Sequence, residues 1–243
     1  LNVSHSYIGG GDIDQPKTIS VGLLGCDFEL DNEKNAFRIK KIYEGAPWDA
    51  EVRSPLRQPG IDVKEGDYLL AVNGQPLDTS KDIWASFQGI AAEVVTLTVN
   101  SQASLTGVRD VLVEPLSSEL RLRNLAWIES NRKKVEQATK GRVGYIYVPD
   151  TSIGGQNELV RQFIPQHRLD GLIIDERFNS GGQFSDRFIE MMNRPLYAYA
   201  ARRDLRDLTI PYLSHIGPKV MIINEWAGSG GDAFPYCFRK AKL

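Results

Sequence analysis

The sequence contains little cysteine and little histidine: two cysteines and three histidines in 243 residues. Two thiols in apolar surroundings are too few for a disulfide-stapled fold or for a thiolate metal cluster. We therefore expect Cys26 and Cys237 to be buried free thiols, and the sequence predicts no metal site.

Long apolar runs and blocks of basic residues are also missing. No apolar segment is long enough to span a bilayer, and the densest basic stretch is "NRKK" at residues 131–134. Together with a formal net charge of −2, this argues against a membrane anchor and against a nucleic-acid footprint. What remains, with 42% hydrophobic and 25% charged residues, is typical of a globular protein with a sizeable core.

A secretory signal is absent as well. The chain begins at Leu1 without a methionine and stops at Leu243, just after a predicted helix has begun. We therefore expect it to be a piece of a longer protein. The cellular compartment stays open, with the cytoplasm preferred to the periplasm.

Residues 19–114 have the pattern of a small β-rich domain. Segments such as "AFRIKKIY" and "EVVTLTVN" alternate apolar and polar residues, and "VNGQ" places an Asn-Gly turn between two strands. Two short helices are predicted, in "GAPWDAEV" and "SKDIWASFQ". This order of elements favours a small, partly open barrel.

An amphipathic connecting helix is predicted next, over residues 117–139. Its apolar residues Leu120, Leu122, Leu125 and Ile128 fall roughly along one face, which we expect to be the buried one. Its basic residues are expected to form a solvated face.

From Gly141 onward, predicted strands alternate with predicted helices. The unbroken apolar runs "GLIID" and "VMIIN" are typical of strands buried on both faces of a parallel sheet. The fold class is therefore α/β plus mainly-β. Because chemistry in such sheets lies at the carboxyl ends of the strands, the two glycine-rich segments "RFNSGGQ" and "NEWAGSGGD" are the candidate site.

Ser229 lies in the second of these segments, among Gly228, Gly230 and Gly231. Such glycines permit a strained turn that exposes a serine hydroxyl, and they let a substrate carbonyl approach the backbone. Ala227 departs from the G-x-S-x-G nucleophile elbow, and no lysine follows that would make a phosphate loop. The alternative is that this segment is only a glycine-rich turn between a strand and a helix, in which the serine has no catalytic role.

The first segment contains Gly181 and Gly182. Two strand ends that each present free amides at one sheet edge can build an oxyanion hole from two directions. We therefore expect Gly181 or Gly182 to act on one side and Gly230 on the other.

A serine nucleophile needs a base, and the histidines are the natural candidates. His167 and His215 occupy ordinary helix and loop positions, whereas His5 lies between two serines and before a glycine run. The chain alone does not bring His5 to Ser229, but folding assembles such groups from distant positions.

Gly22-Leu23-Leu24-Gly25 together with "PGIDVKEGDYLLAVNGQPL" resembles a PDZ domain of the kind found in processing proteases. The resemblance implies that the amides of this glycine loop accept a peptide's terminal carboxylate while the following strand pairs with the peptide. The alternative is that these glycines only make a tight turn.

The whole chain resembles the tricorn protease family, serine peptidases related to the C-terminal processing peptidases. The motifs that carry the resemblance occur in order along the chain: "SHSYIGGGD", the PDZ-like unit, "GRVGYIYVPD", "IIDERFNSGGQ" and "INEWAGSGGDAFPY". It implies a PDZ-like domain inserted before a crotonase-like α/β peptidase domain that is only partly present. The implied organisation is 1–18, the end of a preceding catalytic-core segment; 19–115, the PDZ-like domain; 116–140, the connecting helix; and 141–243, the catalytic domain.

Carried over by position, the resemblance implies Ser229 as the nucleophile, His5 as the general base and Ser4 as the residue that orients His5. The family's fourth group, a glutamate, would lie beyond Leu243, so we expect this chain alone to be weakly active or inactive. No cofactor is implied. Implied partners are oligopeptides or unfolded chains, a homo-oligomer such as a hexamer, and aminopeptidases or proteasome products.

The sequence thus favours a serine peptidase that works through a Ser229 acyl-enzyme. Two alternatives remain. One is a PDZ-type module that binds peptides on a degenerate scaffold, and the other is an acyl-CoA enzyme of the crotonase type, which needs no serine nucleophile.

Overall fold

A computed structural model describes residues 9–12, 14, 16–46, 52–183 and 185–243. The described residues form two compact units, one up to Ala126 and one from Trp127 on. Ser4 and His5 lie outside the described residues, as does most of the segment "GAPWDAEV".

Eleven strands and four α-helices occur among the described residues. The strands are β1 Cys26–Asp31, β2 Ala36–Ile42, β3 Tyr68–Val72, β4 Gln75–Pro76, β5 Val95–Asn100, β6 Arg109–Val113, β7 Val143–Tyr147, β8 Gly171–Asp175, β9 Ala198–Arg202, β10 Leu205–Ile210 and β11 Lys219–Ile222. The helices are α1 Leu120–Thr139, α2 Ile153–Gln166, α3 Asp186–Met192 and α4 Gly230–Lys240.

The first unit is built on an antiparallel sheet. Its strands lie in the order β1-β2-β3-β5-β6, and β4 pairs with β3 through the predicted Asn73-Gly74 turn. Both turn residues have positive φ, +50° and +74°, which is the conformation that favours Asn-Gly in a tight hairpin. Alternate residues of β5 are buried, as the period-two pattern predicts. Strand β1 is an edge strand of this sheet.

The segment "SKDIWASFQ" forms a short 3-10 helix, Ile83–Phe87, with Ile83 and Phe87 buried. Asp82 begins it by accepting a hydrogen bond from the Trp84 amide at 2.8 Å. The helix ends after five residues, because the backbone is extended again at Gln88.

Helix α1 begins at Leu120, three residues later than predicted. Leu122 is buried, but the side chain of Leu120 is 76% exposed, so the expectation that Leu120 belongs to the buried face is wrong. The first turn of α1 is instead fixed by buried Glu119, just before it.

The second unit contains the predicted parallel sheet. Its strands lie in the order β11-β8-β7, and both pairs are parallel. Helices α2, α3 and α4 supply apolar side chains to one core with this sheet, including Phe163, Phe188 and Phe234. The run "GLIID" forms β8, which is buried as predicted. The run "VMIIN" overlaps β11, but β11 lies at the edge of the described sheet and Val220 is 59% exposed, so the prediction that this strand is buried on both faces is wrong.

A hairpin of β9 and β10 also occurs in this unit, and the sequence analysis did not predict it. Most of its residues are exposed, and the turn between the strands has Asp204 at φ +60° in place of a glycine. An exposed hairpin has no buried face, so neither apolar alternation nor a glycine marks it in the sequence.

Candidate active site

The two glycine-rich segments leave the carboxyl ends of β8 and β11, which are neighbours in the parallel sheet. The turn after β8 carries Gly181 and Gly182, and the turn after β11 leads into α4 at Ser229. Their adjacency follows from the sheet, because parallel neighbouring strands end at the same edge.

Ser229 occupies the N-cap position of α4 with an unusual backbone, φ +57° and ψ −114°. An ordinary N-cap serine is extended and its hydroxyl accepts a hydrogen bond from the first turn. Here the side chain makes no capping hydrogen bond and is exposed. The positive φ is costly for any residue with a side chain, so the turn holds Ser229 in a strained conformation that leaves its hydroxyl uncommitted.

The two glycine turns are in contact. A Cβ atom added at Gly181 would lie 2.7 Å from the Gly228 carbonyl oxygen and 2.8 Å from the Ser229 Cβ. A Cβ added at Gly230 would lie 2.1 Å from the Thr151 Oγ1 and 3.1 Å from the Gly182 nitrogen. Only glycine therefore fits at either position. The absence of a side chain lets the turn that contains Gly181 and Gly182 lie directly against the turn that contains Ser229.

Asn179 accepts hydrogen bonds from both glycine turns. Its amide oxygen accepts the Gly181 N–H at 2.9 Å, and its backbone carbonyl accepts the Gly228 N–H at 3.1 Å. Its side-chain nitrogen donates to the Val148 carbonyl at 3.3 Å, and the residue is fully buried. One asparagine thus connects the loops after β7, β8 and β11.

The hydrogen bond from Gly181 to Asn179 distinguishes Gly181 from Gly182 as candidate donors of the oxyanion hole. The Gly181 N–H already donates to a buried side chain. Gly182 is exposed, and its nitrogen lies beside Gly230. An amide that is to stabilise developing charge must be available to the substrate, which favours Gly182 over Gly181.

Thr151 is a site residue that the sequence analysis missed. It lies in the loop after β7, pairs with Gly182 in a parallel bridge, and donates its N–H to the Gly181 carbonyl at 2.8 Å. Its hydroxyl is buried without a hydrogen-bond partner and lies against Gly230. The position of "PDTS" after an apolar strand was the available signal, because that loop ends at the same sheet edge.

Asp175, the last residue of β8, is a well-satisfied buried carboxylate. It accepts hydrogen bonds from the Tyr145 hydroxyl at 2.7 Å and from two guanidinium nitrogens of Arg177 at 2.9 and 2.6 Å. Burial, and then the bond to Asp175, raise the pKa of Tyr145 well above its usual range. The Arg177 guanidinium also lies 4.7 Å from the Trp127 ring, so this network fixes the start of the glycine turn.

Glu176, the next residue, is in the opposite situation. Its side chain is fully buried, and neither carboxyl oxygen has a hydrogen-bond partner. Burial, followed by the negative charges of Asp232 and Asp175, raises the pKa of Glu176 to about 8. An unpaired buried carboxylate is unfavourable, so this group holds its proton at neutral pH.

This raised pKa predicts how stability depends on pH. Between the ordinary value of 4.5 and about 8, folded Glu176 keeps a proton that the unfolded chain has lost, so the free energy of unfolding falls as the pH rises through this window. The slope from this one group is about 1.4 kcal/mol per pH unit at most. Glu176→Gln, an isostere of the neutral acid, is expected to match the wild type near pH 5 and to exceed its stability at pH 8 by ~2–4 kcal/mol.

Urea denaturation at pH 5, 6, 7 and 8 measures this difference. The control is Glu190→Gln, which changes an exposed carboxylate in the same unit and should leave the pH profile as it is. Parallel pH profiles for the wild type and Glu176→Gln would contradict the assignment of Glu176 as a neutral buried acid.

His167 and His215 are packed into the second unit as structural residues. The His167 Nδ1 lies 2.6 Å from the Ile164 carbonyl, and the His215 Nδ1 lies 2.9 Å from the His167 carbonyl. Burial lowers the pKa of His215, whose Nε2 has no partner. Since Ser4 and His5 lie outside the described residues, the pairing of His5 with Ser229 stays a prediction.

The glycine loop of the first unit, Gly22 to Gly25, has three engaged amides. Gly22 donates to the Phe87 carbonyl and Leu23 to the Leu116 carbonyl, each at 2.8 Å. Gly25 donates to the Glu119 carboxylate at 2.6 Å. The loop therefore binds a carboxylate in this structure, and that carboxylate belongs to the protein.

The described residues meet the requirements of neither a membrane-spanning helix nor a clustered metal site. No helix among residues 9–46 and 52–243 that the structure describes is both long and apolar enough to cross a bilayer. In the same part of the chain, no group of three or more His, Cys, Asp or Glu side chains is arranged to hold a metal ion. The two cysteines are free, with Cys26 buried and Cys237 half-buried.

The described residues thus contain a β-rich unit with a glycine loop before an edge strand, and an α/β unit with a strained serine between two glycine turns. Residues 22–118 match the family model of the tricorn protease PDZ domain. The crystal structure of the tricorn protease superposes with a TM-score of 0.78, at 31% identity over 91% of this chain and 21% of that chain.

Curated relatives extend the match along the chain. A tricorn protease homolog of Saccharolobus solfataricus is 37% identical over 242 residues, 99% of this chain and 22% of the relative. The tricorn protease of Thermoplasma volcanium is 35% identical over 243 residues, 99% of this chain and 23% of the relative. The chain belongs to the tricorn protease family, and it spans less than a quarter of the length of these relatives.

Proposed function

We propose that this chain carries the nucleophile and the oxyanion-binding amides of a serine peptidase. Ser229 attacks the peptide carbonyl and its proton passes to His5, which returns the proton to the leaving amine as the C–N bond breaks and the acyl-enzyme forms. Water, deprotonated by His5, then hydrolyses the acyl-enzyme and releases Ser229. The substrates are oligopeptides or unfolded polypeptides. The tricorn family, to which the chain belongs, is named for its protease activity and motivates this assignment.

The observation that carries the proposal is the backbone of Ser229. Its positive φ is strained, it lies directly before a helix N-terminus, and its hydroxyl makes no capping bond. A serine needed only for capping would have an extended backbone and a bonded side chain. A strained, exposed serine at a strand-to-helix turn is the geometry of a nucleophile.

The surroundings of Ser229 support the same chemistry. The Gly230 N–H begins α4, where the helix dipole favours negative charge, and the Gly182 nitrogen lies beside Gly230. We propose that these two amides bind the oxyanion, with Gly181 holding the turn in shape through Asn179. Two donors fixed before reaction are worth several kcal/mol in the transition state, ~2.7–4 kcal/mol for a single donor.

His5 and Ser4 complete the proposal. A neutral imidazole accepts the serine proton, and a hydroxyl bonded to the other ring nitrogen fixes its tautomer. We further propose that the α/β unit is crotonase-like and that the whole protein is a homo-oligomer. Within the chain, residues 19–115 are the PDZ domain, residues 116–140 the connecting helix and residues 141–243 the catalytic domain.

Labelling with a fluorophosphonate probe tests the proposal. In the full-length protein, the probe is expected to modify Ser229, as read by peptide mass spectrometry, because only an activated serine reacts with it. His5→Ala is expected to reduce the labelling rate by at least ~100-fold while the fold, judged by circular dichroism, stays intact.

The matched control is Ser180→Ala, which removes an exposed serine from the facing turn. Its labelling should equal that of the wild type. A folded protein in which Ser229 stays unlabelled contradicts the peptidase assignment and favours the peptide-binding module. Binding of coenzyme A without labelling would favour the acyl-CoA enzyme.

A further inference from the structure

The glycine loop of the PDZ unit encloses a carboxylate that belongs to the protein. Glu119 is 5% exposed, and its Oε1 accepts the Gly25 N–H at 2.6 Å. These two residues are 94 positions apart, so the contact is formed by folding and not by local turn geometry. It places a negative oxygen directly on the loop.

A cation completes this internal ligand. Arg123 donates from Nε to the Glu119 Oε2 at 2.5 Å and from Nη1 to the Asp27 Oδ1 at 2.8 Å. Its Nη2 donates to the Cys26 carbonyl at 3.2 Å, and its guanidinium lies 4.5 Å from the Tyr43 ring. Arg123 is thereby shared between two carboxylates and the first residue of β1.

An incoming terminal carboxylate would meet two obstacles here. The Gly25 amide and the Arg123 guanidinium, the groups that recognise a carboxylate, are both occupied. A third negative charge beside Glu119 and Asp27 would also be repelled, because like charges at short range are unfavourable in a half-buried site. The end of the groove therefore disfavours a free C-terminus.

The groove below the loop stays suited to a peptide. It has a volume of about 520 Å³, within the ~300–1,000 Å³ of ligand-binding clefts. Its lining combines apolar and charged side chains: Cys26, Phe28, Leu30, Phe37, Ile83 and Trp84 on the one hand, and Asp27, Lys40, Asp82 and Arg123 on the other. Strand β1 runs along it and, in the described sheet, pairs with β2 alone, so its other edge can pair with an added strand.

We propose that Glu119 permanently fills the place of a ligand's terminal carboxylate, and that the groove between β1 and the 3-10 helix Ile83–Phe87 receives an extended apolar segment from within a polypeptide chain. The partner is recognised by strand pairing and apolar side chains, and its chain continues past the loop. This inference stands independently of the chemistry at Ser229.

Two peptide libraries test the inference on the full-length protein with Ser229→Ala, which prevents digestion of the probes. One library displays random octapeptides at a free C-terminus, and the other displays them between two flanking segments. We expect the internal library to yield enriched apolar sequences. An enriched sequence is then synthesised with a C-terminal carboxylate and with a C-terminal amide, and fluorescence polarisation should give Kd values equal within about twofold.

Removal of the internal carboxylate should change this preference. Glu119→Ala frees the Gly25 amide and Arg123, so the carboxylate peptide is expected to bind about 10-fold more tightly than its amide form. Glu119→Gln keeps the hydrogen bond without the charge and should give a smaller preference, which keeps the test valid if Glu119→Ala does not fold. Glu114→Gln, an exposed change in the same unit, should leave the two peptides equal.

Three outcomes would overturn the inference: no enrichment from the internal library, a wild-type preference of 10-fold or more for the terminal carboxylate, or an unchanged peptide preference in both Glu119 variants. The first removes the groove as a docking site. The second and third remove Glu119 as its internal ligand.

Discussion

Replacing Ser229 by alanine is expected to lower kcat for peptide hydrolysis by about 10⁴- to 10⁶-fold in the full-length protein. The variant keeps the backbone strain at φ +57° but loses the oxygen proposed to attack the substrate, so its fold should persist while its activity is lost. His5→Ala should cost a similar factor, because serine and base act as one unit. The double variant should then be no slower than either single variant.

Steady-state kinetics on a fluorogenic peptide, with denaturant unfolding in parallel, measures these effects. Ser180→Ala is the control, since it removes a hydroxyl from the other glycine turn and should retain wild-type kcat. Residual activity above about one tenth in folded Ser229→Ala would show that Ser229 is not the nucleophile. Additive losses in the double variant would show that His5 acts elsewhere.

Gly230→Ala is expected to have the second largest effect. The added Cβ would lie 2.1 Å from the Thr151 Oγ1 and 2.8 Å from the Gln183 carbonyl oxygen, so the two turns must separate. We expect kcat to fall at least 100-fold, because the Gly230 amide moves away from the oxyanion. The free energy of unfolding should drop by ~1–3 kcal/mol, the usual cost of overpacking.

Gly228→Ala is the matched control on the other side of Ser229. A Cβ added at Gly228 meets no atom within 4 Å, and its φ is not positive. This variant should therefore label with fluorophosphonate and unfold like the wild type. Equal losses of labelling and stability in Gly228→Ala and Gly230→Ala would mean that any added side chain near Ser229 is harmful. The close contact between Gly230 and Thr151 would then not be the cause of the effect.

The sequence predicted the elements that repeat a buried pattern. The apolar run of β8 correctly predicted a buried strand, whereas the apolar run of β11 forms a partly exposed edge strand. Parallel pairing of the two strands still brings both glycine turns to one edge of the sheet. The Asn73-Gly74 turn was equally predictable, because few other residue pairs accept two positive φ angles.

Contacts that depend on long-range folding could not be predicted. The bond between Gly25 and Glu119 spans 94 positions, and no local pattern distinguishes Glu119 from an ordinary helix-start glutamate. The exposure of Leu120 follows from the same ambiguity, because periodicity identifies a helix face better than it identifies where the helix leaves the core. Thr151 was missed because it contacts Gly230 only after three loops meet.

The backbone strain at Ser229 has an evolutionary consequence. Glycine would adopt φ +57° and ψ −114° without penalty, so a single replacement at this corner would relax the turn and stabilise the protein while it removed the proposed nucleophile. Selection for folding alone would therefore tend to replace the serine by glycine. A lineage that keeps a serine here accepts a permanent loss of stability, and the proposed hydrolysis is a benefit that would compensate for it.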